Sequence, residues 1–110
     1  QQNSSYDALS NDIDEIIPSV FALHQNYPNP FNPTTSIEYD LPNDSYTVVT
    51  VFDVMGKHVK TLVDKNQSAG FKTIRWDAKN DKGESVAAGM YIYQIKSGAN
   101  IASKKMILLR

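Results

Sequence analysis

The sequence predicts an all-β fold, a seven-stranded β-sandwich of the immunoglobulin-like or fibronectin-III-like kind. Three observations point there. From Val20 onward, short apolar runs are broken by turn residues at roughly ten-residue spacing, the texture of strands and hairpins. Several runs alternate apolar and polar residues with the two-residue period of a half-buried strand. No segment carries a convincing helical period. With 110 residues the chain holds one domain's worth of material, and 41% hydrophobic with 21% charged residues suits a folded domain, not a disordered one.

Residues 1–18 are rich in Asn, Ser and Asp and read as an acidic flexible linker, with Pro18 stopping any helical turn and Ile16 and Ile17 as its tether. The domain is expected over residues 19–110. Val20–Leu23 reads as the first strand. Three prolines follow within Pro28–Pro33, and each fixes φ and lacks an N–H, so no ladder continues there. Asn29 and Asn32 are placed to close local Asx-turns around Pro30 and Pro33, which would make the loop rigid, with Phe31 as its apolar anchor.

Thr35–Leu41 alternates cleanly, with Ile37, Tyr39 and Leu41 on one face. Tyr46–Val54 is β-branched and aromatic, with Val49 and Val51 inward. Met55-Gly56 turns the chain, glycine taking positive φ at little cost, into His58–Val63. Val59 and Leu62 have opposite parity, which predicts a bulge or strand end between them. Asp64–Gly70 reads as a polar loop and Phe71–Ala78 as a strand with Ile74 and Trp76 inward. Asn80–Gly83 is a turn, and Gly89 leads into Met90–Lys96 with Tyr91, Tyr93 and Ile95 on one face. Ser97–Asn100 closes a hairpin into Ile101–Leu109, where Met106 and Leu108 can face the core while Ile107 and Leu109 point elsewhere.

Several kinds of chemistry are excluded or unsupported. There is no cysteine, so thiol catalysis, disulfides and cysteine-based metal sites are impossible. The only histidines, His24 and His58, cannot make a multi-histidine metal site. No apolar run approaches the ~18 residues of a membrane span. No nucleophile elbow, zinc-protease helix or P-loop motif occurs, and the expectation is a non-enzyme without cofactor. Asp77–Glu84 evokes a calcium loop, but its lysines and spacing favour a plain Asx-capped turn. Trp76 reads as a core residue; an aromatic surface stripe of Tyr46, Phe52, Phe71 and Tyr93 would be the alternative, serving carbohydrate.

Charge is split along the chain. Residues 1–56 hold eight acids and no Lys or Arg, whereas residues 57–110 hold eleven basic residues and four acids, so −8 faces +7. Either packed halves complement each other or a basic end is offered to an anionic partner. A net charge of −1 argues against nucleic acid.

Four separated motifs carry a resemblance. Leu23–Ile37, with its Tyr-Pro-Asn-Pro-Phe-Asn-Pro core, Val51–Val59, Ala69–Asp77, and Gly89–Tyr93 together with Lys104–Leu109 are similar to the C-terminal sorting domains of the type IX (Por) secretion system. The related Ig-like domain of flagellar hook-capping proteins shares the Val-Phe-Asp-x-x-Gly and Gly-x-Tyr patterns without the Asn-Pro opening. The resemblance implies a module that ends an exported protein and directs its upstream cargo through the periplasm, across the outer membrane, to the cell surface or medium. The outer-membrane secretion machinery would be its partner, and cleavage with attachment to anionic lipopolysaccharide could follow. The recognition residues it implies are Lys104, Lys105, Met106, Ile107, Leu108, Leu109 and Arg110. Asn29, Pro30, Phe31, Asn32, Pro33, Gly56, Gly89 and Tyr91 are its motif and turn residues. A piece cut from a longer protein, beginning Gln1-Gln2-Asn3, fits this picture. The alternative function is an accessory carbohydrate- or cell-wall-binding or spacer module of a secreted glycan-degrading enzyme.

Overall fold

The computed structural model describes residues 16–110; most of the expected linker therefore lies outside the described residues. The described part contains seven strands: β1 (Ala22–Leu23), β2 (Thr35–Leu41), β3 (Ser45–Asp53), β4 (His58–Gln67), β5 (Gly70–Trp76), β6 (Gly89–Ser97) and β7 (Asn100–Leu108). They form two antiparallel sheets, ordered β1-β2-β5 and β4-β3-β6-β7. The fourth strand stays beside the third, whereas a constant-type immunoglobulin domain places its fourth strand in the other sheet.

The alternation in the sequence becomes the layer structure directly. Ile37, Tyr39 and Leu41 face Val49, Val51, Tyr93 and Ile95 across the interior, each at most 1% exposed. Trp76, Met106 and Leu108 join them, while Ile74 packs against the core half-buried. Each large apolar side chain taken fully out of water contributes about 1.5–3 kcal/mol, so this one core carries the domain.

Turns lie where small or φ-positive residues permit them. Gly56 sits at φ +84, and the Asp53 carboxylate accepts N–H bonds from Met55 and Lys57, both at 2.9 Å, to close the β3–β4 turn. Gly89 is not in a turn; it opens β6 at φ +147 with nothing within 4 Å of a would-be Cβ. Its requirement is conformational, not spatial.

Edges and ends differ from expectation. The first strand is shorter than Val20–Leu23, and Val20 is exposed. Ile16 and Ile17 are exposed as well, and it is Pro18 that is buried, so the expected isoleucine tether is absent. The expected polar loop at Asp64–Gly70 is mostly strand: β4 continues through Gln67, pairing Asp64, Lys65 and Asn66 with Val48, Thr47 and Tyr46. The backbone ladder ignores side-chain polarity on an edge, and charges there discourage further strand pairing. The parity break at Val59 and Leu62 is real, since the register slips once at each residue, making two bulges.

Candidate functional site

The Asn-Pro-Phe loop and the C-terminal strand, far apart in sequence, form one structure. Tyr27 and Ser36 exchange two backbone hydrogen bonds of 2.9 Å that close the base of the loop. Inside that base Asn26, 2% exposed, donates to the Thr35 hydroxyl (2.9 Å) and the Pro28 carbonyl (3.1 Å). Thr35 donates to the same carbonyl at 2.8 Å. The bonds preceding Pro28, Pro30 and Pro33 are all cis. Pro30, Asn32 and Pro33 are exposed.

From this base the loop fastens the far end of the chain. Phe31 bridges Leu108 in parallel: its N–H donates to Ile107 O (3.0 Å), and its carbonyl accepts from Leu109 N–H (2.8 Å). The Asn29 side-chain oxygen accepts from Ile107 N–H at 3.0 Å, so it serves a remote strand and not the local Asx-turn expected of it. The Gln25 amide donates to Lys105 O at 2.7 Å. An edge that would otherwise offer free backbone groups from Lys105 to Leu109 is thus covered.

The ring of Phe31, buried with 2% exposure, anchors the loop as expected. It lies 5.8 Å from Trp76, which in turn meets Tyr91 edge-on at 5.4 Å. Trp76 donates its indole N–H to Lys79 O (2.9 Å), and Tyr91 its hydroxyl to Ala87 O (2.6 Å).

Tyr93 completes the assembly. Its hydroxyl donates to His24 O (2.6 Å) and accepts from Asn26 N–H (2.8 Å). Burial pushes the phenol up to about 12, against the smaller opposing effect of the Asn26 bond. An acid whose folded pKa is raised is stabilising below its unfolded value of 10.0 and loses that contribution as pH rises towards 12. Tyr39 and Tyr91 are raised as well, each chiefly by burial. Stability is therefore expected to fall between pH 10 and about 12, with a shallower fall for Tyr93→Phe. Urea midpoints measured across that range test it.

The seven tail residues divide by parity. Met106 and Leu108 are in the core, and Lys104 is half-buried opposite the inward Tyr93. Lys105, Ile107, Leu109 and Arg110 are exposed, with Ile107 at 39% and Leu109 at 50%. The Arg110 guanidinium donates to Val86 O at 2.6 Å.

Electrostatics are local. Among the described residues the close contacts between acidic and basic side chains are the hydrogen bonds His24–Asp40 (2.9 Å) and His58–Asp81 (2.6 Å) and a long Lys60–Asp81 ion pair (3.9 Å). None joins a lysine or arginine of the second half to an acid of the first, so the charge split is not resolved by pairing there. Hydrogen bonds from His58 first and Thr61 N–H second hold the exposed Asp81 carboxyl below its ordinary range. In the segment that evokes a calcium loop, the Asn80 side-chain oxygen accepts from Lys82 and Glu84 N–H, both at 3.0 Å, as an Asx cap does. No cluster of His, Asp and Glu suited to a metal occurs among the described residues.

The imagined aromatic stripe does not form. Tyr93 is wholly buried, Phe71 is exposed on one sheet, and Tyr46 is exposed on the other. Sequence reasoning missed Gln25 and Asn26; the only signal was two amides immediately ahead of the proline run.

Comparison with known proteins places this geometry. The FlgD Ig-like domain family matches residues 31–100. Among solved structures, dimeric latent PorU from Porphyromonas gingivalis superposes with TM-score 0.62 and 21% identity, over 86% of this chain and 10% of that one. PorZ of the same organism, described as an essential bacterial surface component of the type-IX secretion system, gives 0.54 and 17%, over 92% of this chain and 12% of that one. FlgD from Pseudomonas aeruginosa gives 0.54 and 24%, over 67% and 57%. This chain thus spans about a tenth of PorU or PorZ, and these likenesses concern the fold. No curated protein matches the chain.

Proposed function

The chain belongs to the FlgD Ig-like domain family, and on that premise we propose that it is a sorting module that directs an upstream cargo through type IX secretion to the cell surface. It acts by being recognised and catalyses nothing. The observation that carries the reading is the state of the last strand. That strand is laced into the sheet by Phe31 and Asn29, yet shows Lys105, Ile107, Leu109 and Arg110 to solvent. A recognition element of this kind is rigid before it meets its partner, so little ordering entropy is lost on binding. The likeness to PorZ, itself described as a component of that system, supports the choice of machinery. Cleavage of the linker and attachment to anionic lipopolysaccharide belong to the same reading.

The test fuses all 110 residues behind a periplasmic reporter in a host competent for type IX secretion. The reporter is expected at the surface or in the medium. The double variant Ile107→Asp, Leu109→Asp alters two exposed side chains without touching the core and is expected to cut export at least ~10-fold, a loss of about 1.4 kcal/mol or more in recognition. Retention of the unaltered fusion in the periplasm, or undiminished export of the double variant, would defeat the proposal.

A further inference from the structure

The outward face of the four-stranded sheet is divided in an unusual way. Its middle row, Ser103, Gln94, Thr50 and Thr61, is polar, although Thr50 at its centre is only 9% exposed. Towards the C-terminal end the character reverses. Phe52 lies opposite Ile92, and Met90 lies opposite Ile107. Met90 is 42% exposed, and Val54, two residues beyond Phe52 in the chain, is 58% exposed. These side chains come from three chain segments, Val51–Val59, Gly89–Tyr93 and Lys104–Leu109, whose inward neighbours build the core. The polar middle row separates these side chains from Tyr46, Val48 and Ile101 at the other end of the face, and an exposed apolar cluster of this kind marks a surface that another molecule covers.

Basic side chains border the patch. Lys105 continues the row of Phe52 and Ile92, and the His58 ring meets Phe52 edge-on at 6.3 Å. Lys57 and Arg110 are exposed close by in sequence to these rows. Carboxylates at this end are engaged locally: Asp53 holds the turn amides of Met55 and Lys57, Asp81 holds His58 and Thr61, and Glu84 accepts from the Asn80 amide. A partner that covers the apolar centre therefore gains by bringing carboxylates to its rim.

We propose that this end of the outward β3–β6–β7 face is the docking surface for the secretion partner, and that it fits a protein surface with an apolar centre and an acidic rim. The inference rests on the sorting function proposed above and extends recognition from the tail to side chains of β3 and β6. Met90 and Ile92 are its centre.

The experiment uses the same reporter fusion carrying all 110 residues. The double variant Met90→Ser, Ile92→Thr is expected to lower export at least ~10-fold while its melting temperature stays within a few degrees of the parent. Phe71→Ser, at an exposed aromatic on the outer face of the other sheet, is expected to export normally. Lys105→Glu is expected to reduce export, and the loss should be partly restored at higher ionic strength, because screening weakens the new repulsion. Normal export of the Met90, Ile92 variant alongside a blocked Ile107, Leu109 variant would overturn this inference and leave the sorting function standing. Equal loss with Phe71→Ser would overturn it too, as would a concentration-dependent dimer of the purified chain that the Met90, Ile92 changes dissociate. Retention of the unaltered fusion would instead remove the sorting function itself.

Discussion

A chain ending at Lys105 is expected not to fold cooperatively. The missing segment contains Met106 and Leu108, at 0% and 1% exposure, and losing each buried side chain costs about 2–5 kcal/mol. The same cut removes Ile107 O and Leu109 N, the two backbone partners of Phe31. That anchor would then lose its ladder as well as its neighbours. The sum approaches the whole stability of a small domain, about 5–15 kcal/mol. Far-UV circular dichroism across a urea series should show no sigmoidal transition, whereas a chain ending at Leu109 should retain one. A truncated chain unfolding within about 1 kcal/mol of the parent would refute the assignment of this strand to the core. Truncation thus cannot separate recognition from folding, and outward substitutions such as Ile107→Asp are the instructive ones.

Trp76→Ala is expected to cost about 3–5 kcal/mol, the range for emptying a large aromatic site. The indole is 1% exposed, is packed between Phe31 and Tyr91, and donates to Lys79 O. The cavity therefore opens where the loop, β5 and β6 meet. Trp76→Phe should cost less, because one ring remains to fill most of the site, although part of the indole volume and the N–H donor to Lys79 O are lost. Denaturant midpoints with unchanged slopes check both, and a loss below about 1 kcal/mol for the alanine variant would contradict the packing described.

Strands whose two faces see different solvents were readable from sequence. In β2, β3, β6 and β7 one parity is more deeply buried than the other, so the alternation of Ile37, Tyr39 and Leu41, or of Tyr91, Tyr93 and Ile95, reports the fold directly. Edge strand β4 was half-hidden because its outer residues are wetted from two sides and lose that alternation. The candidate site was readable only in parts. The proline loop and the tail each stand out, but their connection through Asn29 and Ile107 joins positions 78 apart and leaves no periodic trace. Nor does parity alone show that Phe52, Met90 and Ile92 share one face, because this depends on the order in which strands pair.

The fastening of Phe31 to Leu108 also has a temporal meaning. The earliest ordered loop finds its partner only in the final strand, so a growing polypeptide cannot close this sandwich until the ribosome has released that strand. Contacts of such long range form slowly and late. Any machinery that accepts only the closed form thereby accepts only molecules translated through position 108, and incomplete products fail without a separate inspection step.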